Sequence, residues 1–345
     1  MLGESTFSER TNWLRRPSLA QALFLAAAIL IGCGGGGGGG GTTGGTGGST
    51  GGTTGGTGGT GGTGGTGGTG GTGGTGGGTP FTFYFGSDAG GAEKGYSISS
   101  DGTGRVALNT GTNTVTQIAM SKSGSKIVFV EWGNYKNIWT INSDGSGKTQ
   151  LTNDDFDTAW PCFSPDGTKI LYTSYEAGTP QLWTMNSDGT GKSALTNFPE
   201  GAIQGRYSPN GTKIVYTTGL LNDDVWTMNA NGSGAAALAA SATDDENEPC
   251  FNEDGSKVLF VKVFDNAGDS VGQIMVINAT GGTPTRLTTD LQDDREPVVS
   301  QDGLIILFSR PFGVGRDIFK MSMTGTNQTK VTNEGALAVS PSTGN

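Results

Sequence analysis

A twelve-residue pattern recurs five times in the later part of this chain, and its spacing limits the available folds more than any other feature. FSPDGTKILYTS at 163–174 is echoed by YSPNGTKIVYTT at 207–218, FNEDGSKVLFVK at 251–262, MSKSGSKIVFVE at 120–131 and VSQDGLIILFSR at 299–310. The turn glycines Gly124, Gly167, Gly211, Gly255 and Gly303 are 43, 44, 44 and 48 residues apart. A second ladder, Gly102, Gly145, Gly189, Gly232, Gly281 and Gly325, sits in turns such as NSDGSGK and NSDGTGK. A period of this length means that each unit is one supersecondary element, which cannot bury its apolar face alone and must stack on its neighbours.

Each unit reads as four short strands. An inner strand ends at the Asp/Asn-Gly turn, where glycine supplies positive φ. The second strand, as in Lys169-Ile170-Leu171-Tyr172-Thr173, is rich in β-branched and aromatic residues. The third carries a large side chain at one equivalent place: Tyr96, Trp139, Trp183, Trp226, Met275 and Phe319. These six anchors are expected to pack between neighbouring units. A second glycine turn leads to a short outer strand such as Ser193-Ala194-Leu195-Thr196. Four strands in about 44 residues is the signature of a propeller blade, so residues 80–345 are predicted to form an all-β, six-bladed β-propeller. The first unit starts at its second strand, Phe81–Phe85. The leftover segment Ala336–Pro341 reads as the missing inner strand reaching its Ser-Pro turn, so the C-terminal strand is expected to complete blade 1 and leave no open edge.

The first 79 residues belong to no such unit. Residues 1–32 combine Arg10, Arg15 and Arg16 with the apolar run SLAQALFLAAAILIG, the form of an export signal and too short to span a membrane as a helix. The run ends in Leu30-Ile31-Gly32-Cys33, which resembles a bacterial lipobox and makes Cys33 the expected lipidation site. Gly34 after it resembles lipoproteins sent to the outer membrane. Residues 33–79 then form a predicted disordered Gly/Thr tether holding 31 of the 65 glycines, since Gly-Gly-Thr triplets bury almost no apolar surface. As a random coil, 46 residues would span about 34 to 41 Å.

Composition removes several functions. Net charge is −10, which excludes nucleic acid as an expected partner, and the chain has no histidine, which removes Ser/His/Asp and Cys/His nucleophile systems and His-ligated zinc. Gly145-Ser146-Gly147-Lys148-Thr149 mimics the end of a phosphate loop but lies between two predicted strands, and reads as a hairpin turn. Cys162 and Cys250 hold equivalent inner-strand places in blades 3 and 5, so they are expected to be buried thiols rather than a bridge.

Acidic residues gather in the links leading to the next inner strand: Asp154, Asp155 and Asp157; Asp244, Asp245, Glu246 and Glu248; Asp293, Asp294 and Glu296. In a propeller these links open on the same face as the loops between second and third strands, which supply Trp132, Tyr135, Tyr175, Phe264 and Phe312. Such a face is a candidate docking surface for a protein or peptide, because aromatics dominate binding hot spots. Two other readings stand beside it: a solvated acidic rim, and a hard-cation site for Ca²⁺ assembled across blades, although no loop has EF-hand spacing.

FSPDGTKI and LWTMNSDGTGK, within residues 163–192, resemble the repeats of TolB-like propellers, and are similar also to WD-like propeller repeats found beside peptidase domains. TolB is the periplasmic propeller protein of the Tol-Pal system, and it carries a folded α/β domain ahead of its propeller where this chain has the Gly/Thr segment. The resemblance covers residues 80–345. Together with the lipobox at Cys33 and the absence of histidine, it leads to the expectation of a non-enzymatic, exported lipoprotein that binds an envelope protein or peptide and needs no cofactor. The alternative is a metal-assisted hydrolase or lyase acting on an envelope polymer at the axial opening.

Overall fold

In the computed structural model the described residues are 80–89, 92–218, 222–266, 269–334 and 338–343. The export segment, Cys33 and the tether lie outside them. The strands form six antiparallel four-stranded sheets, each one blade. Blade 1 holds β1 (Thr82–Ser87), β2 (Lys94–Ser99) and β3 (Val106–Ala107); blade 2 holds β4 (Val115–Met120), β5 (Lys126–Trp132), β6 (Lys136–Asn142) and β7 (Thr149–Gln150). Blade 3 follows with β8 (Thr158–Phe163), β9 (Lys169–Ser174), β10 (Gln181–Asn186) and β11 (Ser193–Ala194), and blade 4 with β12 (Ile203–Tyr207), β13 (Lys213–Thr218), β14 (Asp224–Asn229) and β15 (Ala236–Ala239). Blade 5 comprises β16 (Asp245–Phe251), β17 (Lys257–Asn266), β18 (Asp269–Asn278) and β19 (Thr285–Arg286). Blade 6 comprises β20 (Arg295–Val299), β21 (Ile305–Phe312), β22 (Gly315–Ser322) and β23 (Thr329–Lys330), and β24 (Ala338–Ser342) returns to blade 1.

The second strand of each blade is buried on both faces, because its side chains alternate between the two neighbouring blades. β9 and β13 are covered from their second residue onward. Opposite each predicted third-strand anchor stands a second-strand aromatic: Phe85 faces Tyr96, Phe129 Trp139, Tyr172 Trp183, Tyr216 Trp226, Phe260 Met275 and Phe308 Phe319. These pairs build the clusters between blades; Trp183 and Trp226, for instance, pack against a core running through Leu171, Met185 and Tyr216. Burying each such aromatic contributes about 1.5–3 kcal/mol.

A buried threonine ends each outer strand in four blades. Thr152, Thr196, Thr288 and Thr332 accept the N–H of Ile138, Leu182, Ile274 and Ile318 at 2.8–2.9 Å. The outer strand is thereby held although its ladder is only two residues long.

Closure takes place through β24, with one correction to the expected register. Tyr84 pairs with Ser342, Gly86 with Val339 and Ser87 with Ala338. In blade 3 the corresponding pairs are Leu171 with Cys162, Thr173 with Ala159 and Ser174 with Thr158. Pro341 is therefore the counterpart of Pro161, inside the inner strand, and not of the turn proline Pro165. Each of these prolines sits at a bulge, where no ladder N–H is needed. The closing strand also staples its neighbours: Met120 N–H donates to Ser342 Oγ at 2.9 Å, and Thr343 Oγ1 donates to the Val299 carbonyl at 2.5 Å.

Phe81 accepts the Ser100 N–H at 2.8 Å beside the Asp101-Gly102 turn. The chain thus enters β1 from the face that carries the Asp/Asn-Gly turns, opposite the face of the inter-blade links.

Candidate functional site

Every inner strand from blade 2 to blade 6 carries a bulge with a non-glycine residue at positive φ: Gln117, Trp160, Gln204, Glu248 and Glu296, at 49° to 56°. Each lies three residues before the end of its strand. Left-handed backbone is unfavourable for such side chains, by about 1–2 kcal/mol, so something must hold it. The structure shows what does: Gln117 Oε1 accepts the Trp160 N–H (2.8 Å), Gln204 Oε1 the Glu248 N–H (3.1 Å) and Glu248 Oε2 the Glu296 N–H (2.7 Å). At these three boundaries the bulge aims a polar side chain toward the next blade, where it satisfies the amide that the next bulge frees. Inner strands surround the central channel of a propeller, so these residues stand on the strands nearest the axis.

Burial raises Glu248 to about 7; Arg295 opposes the shift and Glu296 adds to it. Glu93, at the start of β2, is pushed well above the carboxylate range by burial, then by Glu296 and Asp88, and its Oε1 has no hydrogen-bond partner.

The ten link and strand carboxylates expected to form a docking face divide into different tasks. Asp157, Asp245 and Asp293 each accept an N–H at or near the start of the third strand of the preceding blade, from Lys136, Asp223 and Gly272 at 2.9, 3.2 and 2.8 Å. Asp154 pairs with Lys192, and Asp244 and Glu246 both pair with Lys262. Asp294 is fully buried and bridged twice by Arg310, at 2.6 and 2.8 Å. Glu246 and Asp294 are thus interior groups and not surface ones; burial raises both, against the pull of Lys262 and Arg310 respectively. In Asp293 burial is outweighed by Arg295 and Arg316, which hold it below the usual range. Asp155 remains exposed, and Glu248 and Glu296 belong to the axial ring. Among the described residues no three His, Cys, Asp or Glu side chains converge as a cation site.

The expected aromatics sit at separate blade tips. Trp132 donates from Nε1 to Thr116 Oγ1 and carries Lys136 over its ring. Tyr175 is raised to about 12 by burial and then by Asp157. Phe264 lies under Lys262 and Arg286, and Phe312 under Lys330. Tyr135 and Phe312 are exposed, and the neighbouring Leu291 and Val314 join them on the link face. Gln117, Trp160 and Gln204 had not been singled out in the sequence. The clue was positional, since each occupies the bulge place of its repeat.

Gly145 to Thr149 proves to be the turn before β7: Lys148 pairs with Glu131 and covers the Trp139 ring, as the hairpin reading requires. Cys162 and Cys250 are buried free thiols.

Residues 130–269 match the family model of the TolB beta propeller domain. Among solved structures, TolB from Acinetobacter baumannii aligns with TM-score 0.66 at 18% identity, over 76% of this chain and 65% of that one. This chain accordingly spans just under two thirds of that protein's length. A TolB of Agrobacterium tumefaciens aligns with TM-score 0.60 at 16% identity, over 74% and 89%. An oligogalacturonate lyase in complex with manganese aligns with TM-score 0.53 at 13% identity, over 73% and 74%. No curated protein matches the sequence. Identities this low carry the fold alone, a six-bladed β-propeller, and the family match makes residues 130–269 of it similar to the TolB beta propeller domain.

Proposed function

We propose that the protein is an exported, non-enzymatic lipoprotein, anchored through Cys33 in the outer membrane, whose propeller binds an envelope protein or peptide at the axial mouth of the link face. The observation that carries this reading is the ring of Gln117, Trp160, Gln204, Glu248 and Glu296, polar and aromatic groups from five blades around one opening. Aromatics supply contact area at low entropic cost, and the carboxylates favour a basic segment. A Tol-Pal type of role belongs to the same reading.

The test is cross-linking of the full chain in envelope membranes, with Asp155→Lys and Tyr135→Ala as exposed rim variants. One partner cross-linked by the parent and weakened in both variants is expected. Absence of a specific partner, or capture unchanged by both substitutions, would refute it.

The likeness to a manganese-bound lyase supports a second reading, metal-assisted cleavage of an envelope polymer at the same opening. The described residues offer no converging ligand set, so no step is derived through a metal. Metal-dependent turnover that falls on substituting the exposed Asp155, in a chain that stays folded, would establish it over the first.

A further inference from the structure

Deeper along the axis the inner strands enclose a cavity of about 60 Å³, whose walls come from all six blades. At about 10–15 Å³ per water-sized group, it has room for roughly four to six non-hydrogen atoms. Its walls mix polar groups with apolar side chains such as Ile118, Phe163, Phe251 and Val298, and the thiols of Cys162 and Cys250 are among them. Arg206 is the one charged side chain lining it.

Arg206 is placed unusually for a half-buried guanidinium. Arg105, Arg295, Arg310 and Arg316 have carboxylate partners; among the described residues Arg206 and Arg286 have none, and Arg286 instead donates to Gln273 and Thr288 and covers the Phe264 ring. Its Nη1 donates to the carbonyls of Gly205 at 3.1 Å and Trp160 at 3.5 Å. The rest of its five-donor fork faces two thiols, which are weak acceptors. Burial raises Cys162, and raises Cys250 to about 12, against the opposing pull of Arg206. Both thiols are neutral at pH 7 and cannot balance the cation. Among the other polar groups at the wall, Ser342 Oγ accepts the Met120 N–H and Thr343 donates to the Val299 carbonyl.

We propose that this cavity is a binding site for a short-chain carboxylate of about two to four carbons, held by the Nε/Nη2 edge of Arg206 with its alkyl part against Phe163, Phe251 and Val298. A planar carboxylate matches that edge bidentately, and the apolar wall discriminates against a fully polar anion such as phosphate. The site is separate from the docking mouth and does not depend on the partner proposed there.

Isothermal titration of the full chain with butyrate at pH 7.5 tests it, with n-butylammonium and inorganic phosphate as comparison arms. One saturable butyrate site is expected, with neither comparison ion binding. Arg206→Gln is expected to weaken butyrate at least tenfold and Arg206→Lys to retain part of the affinity. Absence of butyrate binding, equal binding of butylammonium, or phosphate binding more tightly than butyrate would overturn the proposal, and these arms need no variant. Unchanged affinity in a folded Arg206→Gln chain would overturn it as well.

Discussion

Replacing Gly232 and Gly281 by alanine separates two reasons for the second glycine ladder. Both lie in equivalent turns between third and outer strands, at φ 85° and 94°. A Cβ at Gly232 would come 2.6 Å from the Leu195 carbonyl oxygen of the preceding blade, and one at Gly281 would meet nothing within 4 Å. Gly102 makes the same close approach to Val331, at 2.7 Å. Positive φ alone costs alanine about 1–2 kcal/mol. Alanine recovers about 0.4–1 kcal/mol by restricting the unfolded chain, so Gly281→Ala is expected to lose roughly 1 kcal/mol. Gly232→Ala bears the same loss and also forces one blade away from the next, which adds about 1–3 kcal/mol by the usual cost of overpacking. Urea unfolding followed by tryptophan fluorescence measures the difference as a shift of midpoint at constant slope. Equal destabilisation by the two substitutions would refute the claim that blade-to-blade contact, beyond backbone conformation, fixes this glycine.

Glu248→Gln keeps an acceptor for the Glu296 N–H and removes the ionisation. Because Glu248 is raised from 4.5 to about 7 in the folded chain, the folded state holds its proton more tightly. Its stabilising contribution is complete below about pH 4.5 and is lost as pH rises through 7. Urea midpoints across pH 4.5–8 should therefore fall less steeply in Glu248→Gln than in the parent, by an amount on the order of 3 kcal/mol over the window; identical pH profiles would refute the assignment. Asp294→Asn is expected to cost about 3–5 kcal/mol by leaving the Arg310 charge buried with its main partner gone, while Glu253→Gln at the more exposed Lys122 pair costs under about 1 kcal/mol. Denaturant titration distinguishes them, and a small loss at Asp294 would contradict the buried pair. Cys33→Ser should move the protein from the membrane to the soluble fraction on cell fractionation; continued sedimentation with membranes would rule out the lipid anchor.

Blade number, strand order and closure were legible because each depends on residues that must be nearly invariant in kind. A turn at positive φ needs glycine, as at Gly167 and Gly211, and a doubly covered strand needs the apolar run of Ile170 to Tyr172. The register of the last strand was harder to read. Ser340-Pro341 looks like Ser164-Pro165, but the strand also contains a bulge proline, and two Ser-Xaa neighbourhoods one bulge apart are alike in sequence. Only pairing with β1 decides between them.

The carboxylates were legible in position and not in role, for an electrostatic reason. A link rich in Asp reads as solvated when it is considered alone. Its partners lie on other strands: Lys262 and Arg310 each stand 16 residues beyond the acid they bind, at the last place of the repeated pattern, and Lys192 stands 38 residues beyond Asp154. The axial ring escaped notice for the opposite reason. Its members, glutamine, tryptophan and glutamate, share no chemistry except that four of the five carry an acceptor long enough to reach the next blade. What repeats is a backbone event, a bulge three residues before the strand end, and the side chain there is free to vary provided that each freed amide finds an acceptor. Trp160 cannot accept for Gln204, and at that boundary it is Arg206 that reaches back to the Trp160 carbonyl. The place where the ring's own hydrogen-bond rule lapses is thus where a guanidinium without a carboxylate partner enters the channel, and variation that the repeat tolerates along its axis is what gives one blade a chemistry the others lack.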